Sequence, residues 1–339
     1  MRFMSSSYPN RGTVLITAAL LLSSLWFFHS QPLSAASAPP RKVRILFADF
    51  SERMGLFFVA KDQRFFEEQG LDADLIQVNT GPVAVAAMAA NEAEFYTVSA
   101  TGSALGAIAS GLDLVWIAGM INKLDGYFYV APKIQKIDDL KGKTIGVQSI
   151  GGGIWMFVMM ALDHWGLVPE RDKIQMRVIG DQSVLAQALG AGLIDGSVWG
   201  YAYNSVLQKT GGRLLGDLTT LNIPYQGTGL VARRSFIANS PDVVEKTLRA
   251  FVKAKAFVQD KSNQAAVVRS TQKWLRMSPN TNADELFDRM RLLYDRRVTP
   301  TREGMQNALR VLSRADPRYA KMKVEDLIDD RIARKIEGP

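Results

Sequence analysis

The sequence predicts an α/β fold built from two similar lobes, with a helical C-terminal tail. After about residue 40, short apolar runs alternate with helical patterns, and the same rhythm restarts near residue 143. Strands separated by helices are typical of parallel sheets covered on both faces. Segment 90–95 (ANEAEF) is echoed by segment 191–196 (AGLIDG), which favours two lobes over one continuous sheet. From about Pro241 onward the pattern is almost wholly helical.

Each predicted strand is a short apolar run bounded by polar or glycine-containing segments. The predicted strands are residues 42–48, 72–78, 95–98 and 113–120, followed by 143–147, 173–179 and 194–199. A helix is predicted over residues 52–70, because apolar side chains recur there at helical spacing and Gly70 can end it.

The chain is expected to cross between the lobes twice, at residues 128–133 and 225–232. These crossings divide it into a first lobe, residues 39–130 and 229–339 including the tail, and a second lobe, residues 131–228. Two such lobes commonly trap a ligand by hinge closure. In open sheets of this kind the ligand lies beyond the carboxyl ends of the strands.

Residues 1–38 are predicted to be a secretory signal peptide. Arg2 and Arg11 flank a polar start, an uncharged apolar run follows at residues 14–28, and small residues come next. This order is that of a signal peptide, with cleavage expected after Ala36 or Ala38. An uncleaved membrane anchor is the alternative, but the apolar run is shorter than the roughly 20 residues that span a bilayer.

The composition narrows the location and the partners. The sequence has no cysteine, so we expect neither disulfides nor the lipid-modified cysteine that would tether an exported protein. We therefore expect a free, monomeric protein of the Gram-negative periplasm. The net charge is +8, but the basic residues are scattered and do not alternate with aromatics, so nucleic acid is not expected as a partner.

A glycine-rich loop, residues 148–156 (QSIGGGIWM), comes after the strand predicted at 143–147. It lacks the Lys-Ser/Thr pair of a nucleotide P-loop and the spacing of a dinucleotide site. The loop is therefore expected to be a turn whose backbone N–H groups can face a ligand oxygen at the positive end of a helix. The alternative is a tight turn that needs glycine only for its backbone angles. The candidate ligand-binding residues here are Ser149, Gly151, Gly152 and Trp155.

Polar and aromatic residues also lie directly after the other predicted strands. A hydroxyl or carboxylate at a strand-to-helix junction either caps the helix or touches a ligand. An aromatic side chain there either lines a cleft or packs between the lobes. The remaining candidates are Asp49, Phe50, Ser51, Thr80, Ser99, Thr101, Asp181, Trp199 and Tyr201.

Catalytic machinery is not visible in the sequence. Outside residues 1–38 there is one histidine, His164, and it falls within a helical pattern. A single histidine favours neither a zinc site nor a catalytic triad, and no nucleophile-elbow motif is present. We therefore expect no catalytic residues, no metal and no cofactor.

Three segments carry a resemblance to a known family: residues 57–78, 137–153 and 188–215. Within them, DLKGKTIGV (139–147) and GLID (192–195) are the most characteristic elements. The chain resembles, over roughly residues 42–260, the substrate-binding proteins of ABC importers for nitrate, sulfonate, taurine and pyrimidine precursors. It departs from an enzyme-like branch of that family, which makes a pyrimidine precursor with a reactive histidine and a cysteine-rich motif.

The resemblance implies a type II periplasmic-binding-protein fold: two α/β lobes, two crossover strands and a ligand in the cleft. It also implies delivery of that ligand to a membrane permease driven by a cytoplasmic ATPase. Residues 49–51, 99–101, 149–153 and 199–201 would face the ligand. No arginine is evident in the predicted cleft segments, so an organic sulfonate, a carboxylate or a pyrimidine is expected rather than nitrate. An exported enzyme or a sensor input domain on the same fold is the alternative.

Overall fold

The computed structural model describes residues 39–278, 280–294 and 296–338. The predicted signal peptide and its cleavage positions lie outside these residues. The strands are β1 (Arg41–Phe47), β2 (Leu71–Gln77), β3 (Phe95–Val98), β4 (Leu114–Gly119), β5 (Tyr127–Val130), β6 (Thr144–Val147), β7 (Gln175–Val178), β8 (Gly196–Trp199), β9 (Arg213–Asp217) and β10 (Gly229–Arg233).

The α-helices fall between the strands and, in greater number, after β10. They are α1 (Gly55–Asp62), α2 (Gly81–Ala89), α3 (Gly102–Ala109), α4 (Gly153–His164), α5 (Gln182–Gly190), α6 (Asn204–Lys209), α7 (Arg234–Asn239), α8 (Pro241–Gln259), α9 (Gln264–Leu275), α10 (Ala283–Leu293), α11 (Arg302–Ser313) and α12 (Arg331–Glu337). Among the described residues, none of these helices is both long and apolar enough to cross a membrane.

The strands form two five-stranded sheets with the same topology, which confirms the predicted fold class. The first sheet has the order β2-β1-β3-β10-β4 and the second β7-β6-β8-β5-β9. In each sheet the three strands on one side are parallel, and one antiparallel strand, β10 or β5, lies between them and the last strand. We take each sheet with its covering helices as one lobe.

The repeated sequence segments have equivalent roles in the two sheets. Glu94, which precedes β3, accepts a hydrogen bond at 2.7 Å from the backbone N–H of Arg44 in β1. Asp195, which precedes β8, accepts one at 2.9 Å from the backbone N–H of Thr144 in β6. In both sheets, therefore, a carboxylate just before a neighbouring parallel strand accepts a hydrogen bond from the backbone of the central parallel strand.

The structure corrects the outward crossing between the lobes. The sequence assigns residues 128–130 to the end of the first lobe and the start of the crossing, but residues 127–130 form β5, which pairs with β8 and β9 inside the second sheet. The side chains of Phe128, Tyr129 and Val130 are fully buried there, which explains why this segment folds as a strand. The crossing therefore precedes Tyr127. A backbone bridge between Lys123 and Pro224 holds the outward and return crossings side by side.

The predicted long helix over residues 52–70 is also interrupted. It consists of a 3-10 turn at Glu52–Met54, then α1, and a second 3-10 turn at Glu67–Gln69. Arg64 has a φ of 61°, which no continuous α-helix contains, and the break falls there. Gly70 ends the segment in the left-handed conformation, with a φ of 72°, as predicted.

The helical tail covers the first sheet, and two of its helices, α10 and α11, also reach the second lobe. Phe251 of α8 packs edge-on against Phe57 and Phe66, with ring centroids 4.7 Å and 5.4 Å apart. From α11, Arg310 reaches Asp163 at the end of α4, with 2.7 Å between the charged groups. The tail thus belongs mainly to the first lobe and also contacts the second.

Candidate functional site

Loops at the carboxyl ends of the strands meet across the two lobes at two places. At one, the backbone N–H of Gly102, after β3, donates to the carbonyl of Gly151, after β6, at 2.8 Å. At the other, the Glu52 carboxylate, after β1, accepts from the backbone N–H of Tyr201, after β8, at 2.7 Å. The edges at which ligands bind in open α/β sheets are therefore brought together.

The three glycines of the second-lobe loop have different roles. Gly151 has a φ of 74°, which favours glycine, and its carbonyl makes the contact with Gly102. A Cβ on Gly152 would overlap the hydroxyl of Ser149, which folds over that position. A Cβ on Gly153 would meet no atom within 4 Å. The predicted alternatives are thus not exclusive: Gly151 meets a backbone requirement, and Gly153 leaves open space at the start of α4.

Glu52 acts as a helix cap supplied by the opposite lobe. Its carboxylate accepts from the backbone N–H groups of Tyr201 at 2.7 Å and Ala202 at 3.4 Å, the first residues of a 3-10 turn. That turn begins after Gly200, which has no side chain to cap it. A Cβ on Gly200 would lie 3.0 Å from the Glu52 carboxylate, so glycine leaves the room that the carboxylate uses.

Burial of Glu52 has an electrostatic consequence. The residue is fully buried, and burial raises the pKa of its carboxyl, while the charge of Arg289 and the Tyr201 N–H act in the opposite direction. The hydroxyl of Tyr294 lies 3.0 Å from the Glu52 carbonyl and 2.8 Å from that of Arg53. The tail thereby fixes the backbone from which Glu52 reaches the second lobe.

Beside Glu52 lies a group that we call the polar centre: Arg53, Asp49, Ser99 and Asp125. The Arg53 guanidinium donates to Ser99 Oγ at 3.1 Å and lies 3.2 Å from Asp125 Oδ2 and 3.6 Å from Asp49 Oδ2. Its flat face covers the ring of Phe157, from α4 of the second lobe, at 4.6 Å. The expectation that no arginine lies at the cleft is therefore wrong.

Two charged residues of the polar centre, Arg53 and Asp125, are held out of water. Asp125 is 1% exposed, and burial raises the pKa of its carboxyl, although Arg53 and Arg289 oppose this rise. Arg289, from α10, lies 3.2 Å from Asp217 of β9 and 4.5 Å from the ring of Tyr127. A second buried cation therefore links the tail to the second lobe.

Several predicted residues cap helices. Thr101 accepts from the backbone N–H of Ala104, and Asp181 accepts from the N–H groups of Ser183 at 2.9 Å and Val184 at 3.1 Å. Ser51 accepts from the N–H of Arg53 and is 1% exposed. Capping is thus an observed role of these three side chains, as the alternative interpretation anticipates. Thr80 is exposed and caps nothing with its side chain, and Ser149 is exposed as well.

The predicted aromatic residues divide into buried and exposed groups. Trp199 is 1% exposed, and its indole N–H donates to the carbonyl of Gln182 at 2.9 Å within its own lobe. Trp155 and Tyr201 are also buried. Phe50 is 38% exposed at the turn after β1. Trp199 therefore packs within its own lobe, whereas Phe50 is open to solvent at the turn that also holds Asp49.

Sequence reasoning misses the two buried arginines for different reasons. Arg53 is the second residue of the segment predicted as one continuous helix, residues 52–70, so its approach to Asp49 and Ser99 is not evident. Arg289 comes from the tail and meets the second lobe only through the fold. Within the ranges that the structure describes, no group of three metal-ligating side chains is present.

Comparisons with known proteins assign this chain to a family. The family model described as NMT1/THI5 like matches residues 52–265, more than half of the chain. The chain belongs to the NMT1/THI5-like family. A relative in Bacillus subtilis (strain 168), YtlA, provisionally named a binding protein, is 25% identical over 227 residues, which cover 65% of this chain and 67% of YtlA.

Two solved structures can be superimposed on most of the chain. The periplasmic aliphatic sulphonate-binding protein SsuA of Escherichia coli aligns with a TM-score of 0.69 and 19% identity, over 86% of this chain and 92% of SsuA. The periplasmic nitrate-binding protein NrtA of Synechocystis PCC 6803 aligns with a TM-score of 0.67 and 11% identity, over 87% of this chain and 88% of NrtA. At these identities the likeness confirms the two-lobed periplasmic-binding-protein fold.

Proposed function

We propose that this protein is a periplasmic substrate-binding protein of an ABC importer. It captures a small organic anion or heterocycle between its lobes, in the class of sulfonates, taurine, aromatic carboxylates and pyrimidines. It then delivers this solute to a membrane permease driven by a cytoplasmic ATPase. The protein acts as a monomer without cofactor or metal, is exported by its signal peptide, and does not transform the solute.

One observation carries this proposal: two lobes of the same topology contact each other through their strand-end loops around buried charged groups. Both contacts are made by residues close in sequence to the polar centre, because Glu52 precedes Arg53 and Gly102 follows Ser99 in the same strand-end loop. A solute held there would touch both lobes, so its binding energy would favour the closed arrangement. The nitrate and sulphonate binding named for the structural relatives supports the same class of function.

The proposed ligand-facing residues are the strand-end groups predicted from the sequence, together with Arg53. In the first lobe they are Asp49, Phe50, Ser51, Thr80, Ser99 and Thr101; in the second they are Ser149, Gly151, Gly152, Trp155, Asp181, Trp199 and Tyr201. Backbone N–H groups at the start of α4 would hold the ligand's oxygen atoms. Ser99 would add a hydroxyl whose position is fixed by Arg53.

A thermal-shift screen of alkanesulfonates, taurine, aromatic carboxylates and pyrimidines tests this function. A ligand that binds only the folded state raises the midpoint temperature of unfolding. At a ligand concentration 1,000 times the dissociation constant, the free energy of unfolding increases by about 4 kcal/mol. Mass spectrometry of the recovered ligand should show no turnover, because a binding protein returns its solute unchanged. Consumption of the ligand would support the exported enzyme instead.

A pair of tryptophan variants provides the site control. Trp155 lies in the first turn of α4, at the proposed site, whereas Trp165 lies just after the end of the same helix and packs on Phe128 with ring centroids 5.2 Å apart. Trp155→Ala should weaken binding of the identified ligand more than Trp165→Ala does. Full affinity in Trp155→Ala would remove that residue from the site.

A further inference from the structure

A groove on the helical tail lies apart from the residues proposed to face the solute. One wall is a face of α11, and the other is formed by residues 319–325, which follow that helix. The cavity has a volume of about 390 Å³, within the roughly 300–1,000 Å³ of small-molecule sites. The α11 residues that line it are spaced as neighbours on one helix face: Arg302, Gln306, Leu309, Arg310 and Ser313.

Part of the lining of this groove is apolar. Leu309 and Tyr319 are 6% and 8% exposed, so they lie nearly buried beneath it. Ala320, Met322 and Val324 add apolar surface from the other wall. An aliphatic group placed in the groove would therefore remove its own surface and that of the lining from water, which favours binding.

The wall that contains Tyr319 is held in place by the first lobe. The Tyr319 hydroxyl donates to the carbonyl of Gly102 at 3.0 Å. A Cβ on Gly106 would lie 3.1 Å from that hydroxyl, so glycine leaves the room that the tyrosine needs. The turn before Tyr319 is capped by Asp316, which accepts from the backbone N–H of Arg318 at 2.9 Å. A ligand would therefore meet a preformed wall and cost little ordering.

The lining of the groove carries more positive than negative charge. Its cations are Arg302, Arg310 and Lys323, and its carboxylate is Glu325. Arg302 lies 3.9 Å from Glu325 and 3.4 Å from Asp330. Lys323 is exposed, and among the residues that the structure describes it has no carboxylate partner. An anion would therefore be attracted to the groove.

Arg310 also has unused donors. It donates from Nη2 to Asp163 of the second lobe at 2.7 Å, and in the described part of the chain its other nitrogens donate to no group. Asp163 is held at the same time by Arg314 at 2.6 Å. Two guanidinium groups thus share one carboxylate. A guanidinium has five N–H donors in a planar fork, so Arg310 can bind a further anion.

We infer that this groove is a second binding site, for a small amphiphilic anion such as a medium-chain carboxylate. Its anionic head accepts hydrogen bonds from the cations of the lining, and its aliphatic body packs on Leu309 and Tyr319. The anion and Asp163 draw on the same charge of Arg310, so each weakens the other's interaction with it, by the same factor. Occupation of the groove therefore loosens one link between the tail and the second lobe.

Calorimetric titration with octanoate and its neutral isostere octanamide tests the inference. At low ionic strength octanoate should bind about tenfold tighter than octanamide, as expected for charge-assisted hydrogen bonds to the lining cations. Raising the salt concentration should reduce this preference, because the cations are exposed.

Four variants locate the bound octanoate. Lys323→Gln should weaken its binding about threefold, whereas Lys209→Gln, at an exposed position in the second lobe, should not change it. Ala320→Trp fills the groove from its exposed wall and should remove most of the binding. Asp163→Asn leaves Arg310 to the anion and should tighten binding about threefold. Thermal unfolding without ligand confirms that each variant is folded.

Equal affinity for octanoate and octanamide, or no binding of either at millimolar concentration, would overturn the inference. Octanoate binding that Lys323→Gln and Ala320→Trp leave unchanged would also overturn it, because the ligand then lies elsewhere. Unchanged affinity in Asp163→Asn would overturn the sharing of Arg310. The uptake function stands in each case, because it concerns the region between the lobes.

Discussion

Arg53 is the residue on which the polar centre depends. It is 9% exposed, and its guanidinium is the nearest compensation for the buried carboxylate of Asp125. Removing one partner of a buried ion pair leaves the other charge without compensation, which costs more than the pair contributes. Loss of the Arg53 charge alone should therefore destabilise the protein more than loss of the Arg53 and Asp125 charges together.

Arg53→Met is expected to lower the free energy of unfolding by about 3–5 kcal/mol, because Asp125 remains buried without its main cation. Adding Asp125→Asn should restore more than half of that loss. Urea unfolding of the parent, both single variants and the double variant measures the coupling. A cost below about 1 kcal/mol for Arg53→Met would contradict the described role of the pair.

The neighbouring glycines Gly152 and Gly153 should respond differently to alanine. Gly153→Ala adds a Cβ in open space at the start of α4 and should leave the protein equally stable or more stable by about 0.5–1 kcal/mol. Gly153→Ala should nevertheless weaken binding of the ligand, because the proposed site places the ligand at the N-terminus of α4. Gly152→Ala must displace the Ser149 hydroxyl. Thermal unfolding measures the stability of both variants, and titration measures their affinity for the ligand. Equal effects of Gly152→Ala and Gly153→Ala on stability would refute the different roles given to these two glycines.

At the residue scale the sequence indicates positions better than partners. Asp49 and Ser99 can be assigned to strand ends, because chain order alone shows which residues come directly after each strand. Arg53 cannot be associated with them in this way, because its partners are Asp125, before β5, and Ser99, after β3. The sequence also leaves the capping and ligand-facing interpretations of Thr101 and Asp181 open, and the side-chain geometry shows the caps.

Among the secondary-structure elements, the Glu52–Met54 turn is the one that joins the lobes most directly. Glu52 supplies the carboxylate that the 3-10 turn Tyr201–Tyr203 lacks. Hydrogen bonds to a charged group contribute about 1.5–3 kcal/mol, and an unsatisfied buried N–H costs a similar amount. In this structure the same hydrogen bonds cap the turn and join the two lobes.

Glu52→Ala should therefore increase hydrogen exchange at the amides of Tyr201 and Ala202 and weaken binding of the ligand found in the screen. Glu52→Gln keeps an acceptor and should preserve more of both. Asp62→Asn is the control, because that carboxylate binds Ser270 and Lys273 within the first lobe and its tail. Unchanged exchange at Tyr201 in Glu52→Ala would show that the lobes are held by other contacts.

Sequence reasoning does not find β5, β9 or β10, and two of these strands, β5 and β10, share a physical cause. β5 and β10 are antiparallel strands inside otherwise parallel arrangements, and each comes directly after a crossing between the lobes. Their short runs, Tyr127–Val130 and Gly229–Arg233, resemble connecting segments because no helix separates them from those crossings. Most of the parallel strands are predictable because each alternates with a helix; β9 is the exception, since it follows α6 but its run of residues 213–217 is not predicted as a strand.

For the molecule as a whole, α11 and the residue after it form a further bridge between the tail and the second lobe. Arg310 and Arg314 both reach Asp163 at the end of α4, at 2.7 Å and 2.6 Å. Burial alone would raise the pKa of Asp163, but the hydrogen bonds from the two arginines outweigh it and hold the pKa below its ordinary value. The folded protein therefore favours the ionised form.

A carboxyl with a lowered folded-state pKa stabilises the protein above its ordinary pKa and loses that contribution as the pH falls through the lowered value. The difference in unfolding free energy between the parent and Asp163→Asn should be constant above about pH 5 and vanish towards about pH 2. Because the arginines are largely exposed, about 0.5–1 kcal/mol is expected at low salt. A difference that grows with falling pH would contradict the assignment.

The central claim is that a small solute closes the two lobes on each other. Because the sequence has no cysteine, spin labels can be placed at single introduced cysteines, Val83→Cys in the first lobe and Val206→Cys in the second, both at exposed positions. With ligand, the distance between the two spin labels, measured by pulsed electron paramagnetic resonance, should shorten to the separation in this structure. Without ligand, the mean distance should be longer and its distribution broader. A distance distribution that a saturating ligand leaves unchanged would contradict the account.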